Sequence, residues 1–433
     1  MLKRILCVSL LAGLIPASLA RGQQEPPKGN LHPNFRLSFI ERFRYTTWDN
    51  TIFLSDAAAS AYSFTRNRTS IMGQWLPRPQ LELALKLTNE FRHYFTPERR
   101  EFTLHEIFVD QLYARWSGNR VNVTVGRQDM WLGEGFVVAD GGPMDGSRSG
   151  YFNAVRLDVK PCPKGTITLF YFYQPEIEQY LPVVHDEDQL MVEQPEEGFG
   201  VYISRDINRT NLQAYIIRKN IHETALLPIT SEINTLGARL TCPLSDRVTL
   251  TGEAAYQFGT LFGAVDRSAY GGYAYADYMT DWPEFLPSQL TAGGILLSGD
   301  DPATTDWEGW DPLFSRWPKW SESYIYTLII EHSIAYWSNF ISLYGQAHFD
   351  FDCGLALRLD YQHLMAPQPT PPSFIFGGGG KIRGDLFAGR LLFKVNRRLS
   401  GNIIWEHFRA GDFYYPGTDP ANWLRLEMTL KVD

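Results

Sequence analysis

Leu424-Arg425-Leu426-Glu427-Met428-Thr429-Leu430-Lys431-Val432 alternates without a break between apolar and polar side chains. In an extended strand, a period of two puts the apolar residues on one face and the charges on the other. The pattern recurs along the chain. Leu81, Leu83, Leu85 and Leu87 alternate with Glu82, Ala84, Lys86 and Thr88. Val121, Val123 and Val125 alternate with Asn122 and Thr124, and Val155, Leu157 and Val159 with Arg156 and Asp158. Leu250, Ala254, Tyr256 and Phe258 do so with Thr249, Glu253 and Gln257, and Leu355, Leu357 and Leu359 with Arg358 and Asp360. A soluble sandwich also alternates. These runs, however, reach about 9–13 residues, the length of a tilted membrane strand, whereas soluble strands average roughly 5–6.

Connection lengths point the same way. Short links at 75–79, 117–120, 161–165, 207–209, 242–246, 349–351 and 397–399 trade places with long ones at 46–61, 93–105, 129–152, 175–197, 299–339, 363–381 and 410–421. Short periplasmic turns and long extracellular loops are the pattern of an outer-membrane barrel. The chain holds 22 Tyr, 27 Phe and 12 Trp, and aromatics such as Tyr45, Trp48, Tyr113, Trp116, Tyr171 and Tyr173 stand near run ends, where bilayer interfaces favour them. Assigning Tyr324–His332 to the long loop 299–339 restores an even strand count. The expectation is an all-β fold, an antiparallel transmembrane barrel of 18 strands over 35–433. One detail resists: alternation turns Glu41 outward and Ile40 inward, which a bulge or an interfacial position would relieve.

At the start, Lys3 and Arg4 precede an apolar run from Ile5 to Leu14, Pro16 breaks it, and Ser18-Leu19-Ala20 supplies small residues. That reads as a signal peptide over 1–20, because the apolar run is too short to span a bilayer. Residues 21–34 then form a flexible periplasmic lead-in. Of 433 residues 44% are hydrophobic, too many for a disordered chain, and the formal charge of −8 argues against a nucleic-acid binder. Cys162, Cys242 and Cys353 remain after the leader. Cys162 and Cys242 would sit four strands apart, roughly 19 Å at the usual strand spacing, too far for a disulfide.

Parity assigns the lumen face. It carries Arg36, Arg42, Arg44, Lys86, Arg156, Arg239, Arg358, Arg390 and Arg425, with Glu82, Asp158, Glu253, Asp360 and Glu427 as the acids. Guanidinium groups attract anions and offer planar forks to carboxylates. The expectation is a polar pore biased toward anionic solutes; the alternative is cross-strand pairing that merely solvates the interior. Arg127 ends its strand on the outward parity and is expected to anchor a loop or the rim.

Val123-Thr124-Val125-Gly126-Arg127-Gln128, followed after a gap by Phe152-Asn153-Ala154-Val155-Arg156-Leu157, resembles the alginate export porin family. Its members end a strand in Gly-Arg-Gln and a later segment in Phe-Asp-Gly-Val-Arg-Leu; Asn153 and Ala154 depart from that pattern. Leu297-Ser298-Gly299-Asp300 with Asp311-Pro312-Leu313-Phe314, and Gly384-Asp385-Leu386 with Gly411-Asp412-Phe413, are similar to further family segments. The resemblance covers about 36 to 432. It implies an 18-stranded barrel with an arginine-rich pore. The expected cargo is hydrophilic and anionic: a uronic-acid polymer on export, with periplasmic partners, or small carboxylated solutes on uptake.

Other patterns carry less. Asp300, Asp301, Asp306, Glu308 and Asp311 form an acidic loop without EF-hand spacing. Gly377-Gly378-Gly379-Gly380-Lys381 lacks the Ser or Thr of a phosphate loop, because Ile382 follows, and reads as a flexible external loop. No hydrolase motif or metal spacing occurs, so no enzyme activity, cofactor or metal is expected. Two rival readings stay open. One is a plugged barrel acting as adhesin or receptor through Trp307, Trp310, Trp317 and Trp320. The other is a barrel-embedded hydrolase.

Overall fold

A computed structural model describes residues 30–32, 34–58, 61–98, 106–140, 152–184, 191–192, 194–225, 227–315, 321, 338–351, 353–370 and 377–432. The expected leader, most of the expected lead-in and the segment Tyr324–His332 lie outside the described residues. Eighteen long strands form one antiparallel sheet. They are β1 (Phe35–Asp49), β2 (Tyr62–Arg78), β3 (Leu81–Thr96), β4 (Glu106–Ser117), β5 (Val121–Gln128) and β6 (Phe152–Cys162). Next come β7 (Gly165–Gln174), β8 (Glu196–Ile207), β9 (Thr210–Ile221), β10 (Ser231–Pro243), β11 (Val248–Leu261) and β12 (Val265–Met279). The set ends with β13 (Gln289–Leu297), β14 (Phe340–Phe351), β15 (Leu355–Met365), β16 (Ile382–Lys394), β17 (Leu399–Ala410) and β18 (Ala421–Val432).

Each strand pairs with the next, and β18 pairs with β1 from Phe39↔Val432 to Asp49↔Asn422, so the sheet closes and no long edge remains. A short strand at Asn30–His32 pairs with the start of β1, so this part of the stretch expected to be a flexible lead-in is held to the sheet. One end of the barrel carries tight links such as 79–80, 163–164 and 208–209; the other carries the long loops. The turn at 262–264 is an exception at the long-loop end.

Why the wall stands in a membrane is visible on its outer face. Leu85, Leu112, Val125, Ile216, Leu236, Leu343, Ile403 and Leu430 are all exposed. In water such a belt would be costly, whereas hydrocarbon is its natural solvent. Glu41 does face outward, without a bulge: the β1–β2 register runs unbroken, and Thr69 Oγ1 donates to Glu41 Oε2 at 2.5 Å. Tyr45, Trp116 and Tyr171 join the outer face. Trp48 and Tyr113 do not. They fall on the inward parity and are buried, Trp48 against Phe64 and Tyr113 with its hydroxyl on Glu82.

Part of the interior is packed like a soluble core. Residues 129–140 turn back into the barrel, where Met130–Trp131 pairs with Val138–Asp140, and Phe314–Ser315 adds a parallel strand. Phe136 stacks on Trp310 with ring centroids 5.3 Å apart, and Phe314 meets Phe172 edge-on at 4.6 Å. Phe152, Phe170, Tyr202, Tyr215, Ile217 and Ile233 from β6–β10 close around this plug. The burial of Trp310 removes it from the surface cluster expected at the long loop; Trp317 and Trp320 lie outside the described residues.

Candidate functional site

Across the lumen from the plug, the wall from β15 through β18 to β3 carries arginines in register. Arg44, Arg66 and Arg92 are direct cross-strand neighbours on β1, β2 and β3. Arg42 faces Arg68 in the adjoining row. Arg358 faces Arg390 on β15 and β16, and Arg390, Ile404, Arg425 and Thr46 continue one row across four strands. Arg66, Arg92 and Arg425 stand near the long-loop ends of their strands, Arg358 and Arg390 near the short-turn ends. The guanidinium groups therefore descend as a ramp along the barrel axis.

Like charges placed directly opposite one another oppose sheet formation. Counter-charges offset part of this. Arg68 bonds Glu90 at 3.1 Å and Asp110 at 3.3 Å, Lys86 Nζ lies 2.6 Å from Asp110, and Arg44 bonds Glu427. Arg42 and Arg66 approach Glu90 at 3.7 and 3.5 Å. Among the described residues the cluster sets Arg42, Arg44, Arg66, Arg68, Lys86, Arg92 and Arg425 beside Glu90, Asp110 and Glu427. Aromatic faces hold part of it: Arg425 lies over Trp423 at 5.4 Å, and Phe64 lies beneath Arg66 and Arg92 at 5.8 and 5.7 Å.

Most of the remaining residues of the expected pore set have local partners. Arg156 grips Asp158, two residues on, with Nε and Nη2, and Arg358 Nε donates to Asp360 at 2.8 Å. Glu82 accepts from Tyr113 and Gln74. Arg36 is half-buried at the short-turn end. Arg239 is engaged by the plug: its Nη2 donates to Glu134 Oε1 at 2.6 Å, and Tyr275 donates to the same oxygen at 2.7 Å. Glu253 accepts the hydroxyls of Tyr215 and Tyr273.

Arg127 shows how local sequence shapes this wall. Gly126 sits at φ +118°, where a Cβ would come 2.3 Å from the Leu112 carbonyl oxygen. The following Arg127 is buried and donates to Asn153 Oδ1, the Val109 carbonyl and Glu178 at 3.0, 2.8 and 3.0 Å. Glu178 belongs to the loop after β7, whose Val183–Val184 pairs with Ile107 and Phe108.

Arg66, Arg68, Arg92 and Glu134 escaped the reading of the sequence. The stretch Thr65-Arg66-Asn67-Arg68-Thr69-Ser70 is polar on both faces, so alternation is silent there. Its signal was the Arg-x-Arg spacing shared with Arg42 and Arg44 on the neighbouring strand.

The acidic loop is not gathered. Asp311 holds Lys219 at 3.2 Å and Asp300 accepts the Glu308 amide, and among the described residues no group of three metal-ligating side chains converges. The glycine run is stitched to the neighbouring loop: Gly378 N donates to Phe413 O at 2.9 Å and Gly380 N to Asp412 O at 3.0 Å. It is thus a docked segment where a free loop was expected.

The sequence matches no family model, and no curated protein matches it. Solved structures do match. OccAB1 of Acinetobacter baumannii superposes with a TM-score of 0.62 at 12% identity, over 92% of this chain and 97% of that one. The outer membrane protein OpdK of Pseudomonas aeruginosa gives 0.60 at 12%, over 92% and 98%. OpdK solved with vanillate gives 0.59 at 12%, over 93% and 100%. With its closed 18-stranded wall and outward apolar belt, the chain has the fold of these outer-membrane barrels and belongs in the outer membrane.

Proposed function

We propose that this protein is a diffusion channel, without enzyme activity, for small hydrophilic solutes that carry a carboxylate. The arginine ramp from Arg92 to Arg358 carries the reading. Cation rows lining a water-filled path lower the barrier for an anion, and neighbouring guanidinium forks hand a carboxylate from one to the next. The plug favours small cargo, since it narrows the path to the side lined by arginine. OpdK, solved with vanillate, an aromatic carboxylate, has the same fold. In this reading Arg42, Arg92, Arg358 and Arg390 contact the solute; Arg44 and Arg425, expected to line the pore, are buried in the wall and add charge behind them, and Arg127 and Arg239 hold loops.

A second reading rests on the motif segments around Arg127 and Arg156: passage of a uronic-acid polymer, fed by periplasmic partners. It uses the same ramp but requires the plug to move aside. Purified protein in planar bilayers under a KCl gradient tests the first reading. We expect a reversal potential of anion preference that shifts toward cations in Arg358→Glu/Arg390→Glu. Cation preference in the unmodified protein overturns the selectivity, and absence of conductance overturns the channel.

A further inference from the structure

We infer that the outer wall of β14–β17 carries a binding site for one acyl chain of a phosphate-bearing membrane lipid. A groove of about 520 Å³ opens there, lined by Gly345, Leu359, Tyr361, Phe387, Gly389 and Trp405. That volume lies within the range of ligand clefts, roughly 300–1,000 Å³. All six residues fall on the outward parity, so the groove faces hydrocarbon and not the lumen. Glycine inside a strand weakens it, and often marks a place where a ligand lies close to the backbone. Here Gly345 and Gly389 form the floor. Tyr361 and Phe387, with ring centroids 5.0 Å apart, and Trp405 form the walls.

Register decides which end holds the head. Leu359↔Gly389↔Trp405 makes one row, and Tyr361↔Phe387↔His407 the next toward the long loops. Beyond them comes His363↔Asp385↔Arg409, polar throughout. Asp385 is engaged within the wall, accepting from Tyr361 Oη at 2.8 Å and lying 2.9 Å from His363 Nδ1. Arg409 is exposed on the same row. An amphiphile with its chain on the glycines would thus set its phosphate at Arg409, a pairing that charge-assisted hydrogen bonds favour. This site is independent of what the lumen conducts.

The two glycines provide the test. A Cβ at Gly345 meets no atom within 4 Å, and one at Gly389 meets Leu359 and Trp405 at 3.9 Å, so both positions accept a side chain. Full-length protein in lipid-free detergent is mixed with phosphatidylglycerol and examined by native mass spectrometry. Gly345→Leu/Gly389→Leu should lose the bound lipid at least tenfold while keeping wild-type conductance and heat-modifiable migration, which report folding. Arg409→Ala should abolish the preference for phosphatidylglycerol over diacylglycerol. Undiminished lipid on the filled groove overturns the site. So does a wild-type dimer that the same substitutions dissociate, which would give the groove to a second copy. Equal retention of diacylglycerol and phosphatidylglycerol by the wild type overturns the headgroup contact.

Discussion

Replacing Glu134 by Ala removes the latch that holds the tip of the plug, the turn Gly133–Gly135, against the wall. The bonds lost include those from Arg239 at 2.6 Å and from the Tyr275 hydroxyl at 2.7 Å. Leaving a buried charge with nothing opposite costs about 3–5 kcal/mol. Arg239 is spared that, because Glu253 Oε2 lies 4.0 Å from its Nε and the Tyr273 hydroxyl 3.3 Å away. Both donors meet the same oxygen, Glu134 Oε1, and the Tyr275 hydroxyl can turn to another acceptor, so the loss is counted as that of one charged hydrogen bond, about 1.5–3 kcal/mol. At 1.4 kcal/mol per decade, the displaced tip becomes roughly 10- to 100-fold more populated. The body of the loop stays. Met130, Leu132, Phe136, Val137 and Val138 are all buried, and each such side chain contributes about 1.5–3 kcal/mol. Single-channel recordings should therefore show a second, larger conductance level visited 10- to 100-fold more often, not a permanently wide pore. Glu134→Gln, which keeps an acceptor for Tyr275, should fall between. Unchanged occupancy of the levels in Glu134→Ala would refute the latch, and a permanently open pore would refute the weight given to the apolar body.

Three further outcomes follow from the wall. Gly126→Val forces a β-branched residue to φ +118° and onto the Leu112 carbonyl, and should destabilise the barrel by at least about 1–3 kcal/mol, read as a lower urea midpoint in liposomes. Arg127→Lys supplies one ammonium where the guanidinium reaches three partners, so the loop after β7 should be cleaved faster in limited proteolysis while the barrel band stays intact. Glu41→Leu takes a carboxylate off the lipid face and should raise the unfolding midpoint, by about 1–2 kcal/mol on the scale of charges in barrel walls; a lowered midpoint would show that the Thr69 bond outweighs desolvation.

The wall was legible because lipid on one side and polar surface on the other impose alternation, as in Leu81–Leu87 and Leu424–Val432. Where both faces are polar, the signal fails, and Arg66 and Arg68 went unread. Parity also outranks composition. Trp48 and Tyr113 sit near strand ends like interfacial aromatics, yet their registers turn them inward. The plug was invisible for another reason. Leu132, Phe136 and Val137 alternate with nothing, since a loop that packs as a core obeys no strand period. Arg239 looked like a pore residue, and its partner Glu134 is over a hundred positions away in sequence, a pairing that no local pattern announces.

The apolar inner surface of β6–β10 has a consequence for biogenesis. Phe152, Phe170, Phe172 and Tyr202 would face water in a barrel closed around an empty lumen. Docking of the plug therefore stabilises the closed barrel, and formation of the inner core and closure of the wall are energetically coupled. Substitutions deep in the plug should then reduce the yield of assembled protein before they alter any current.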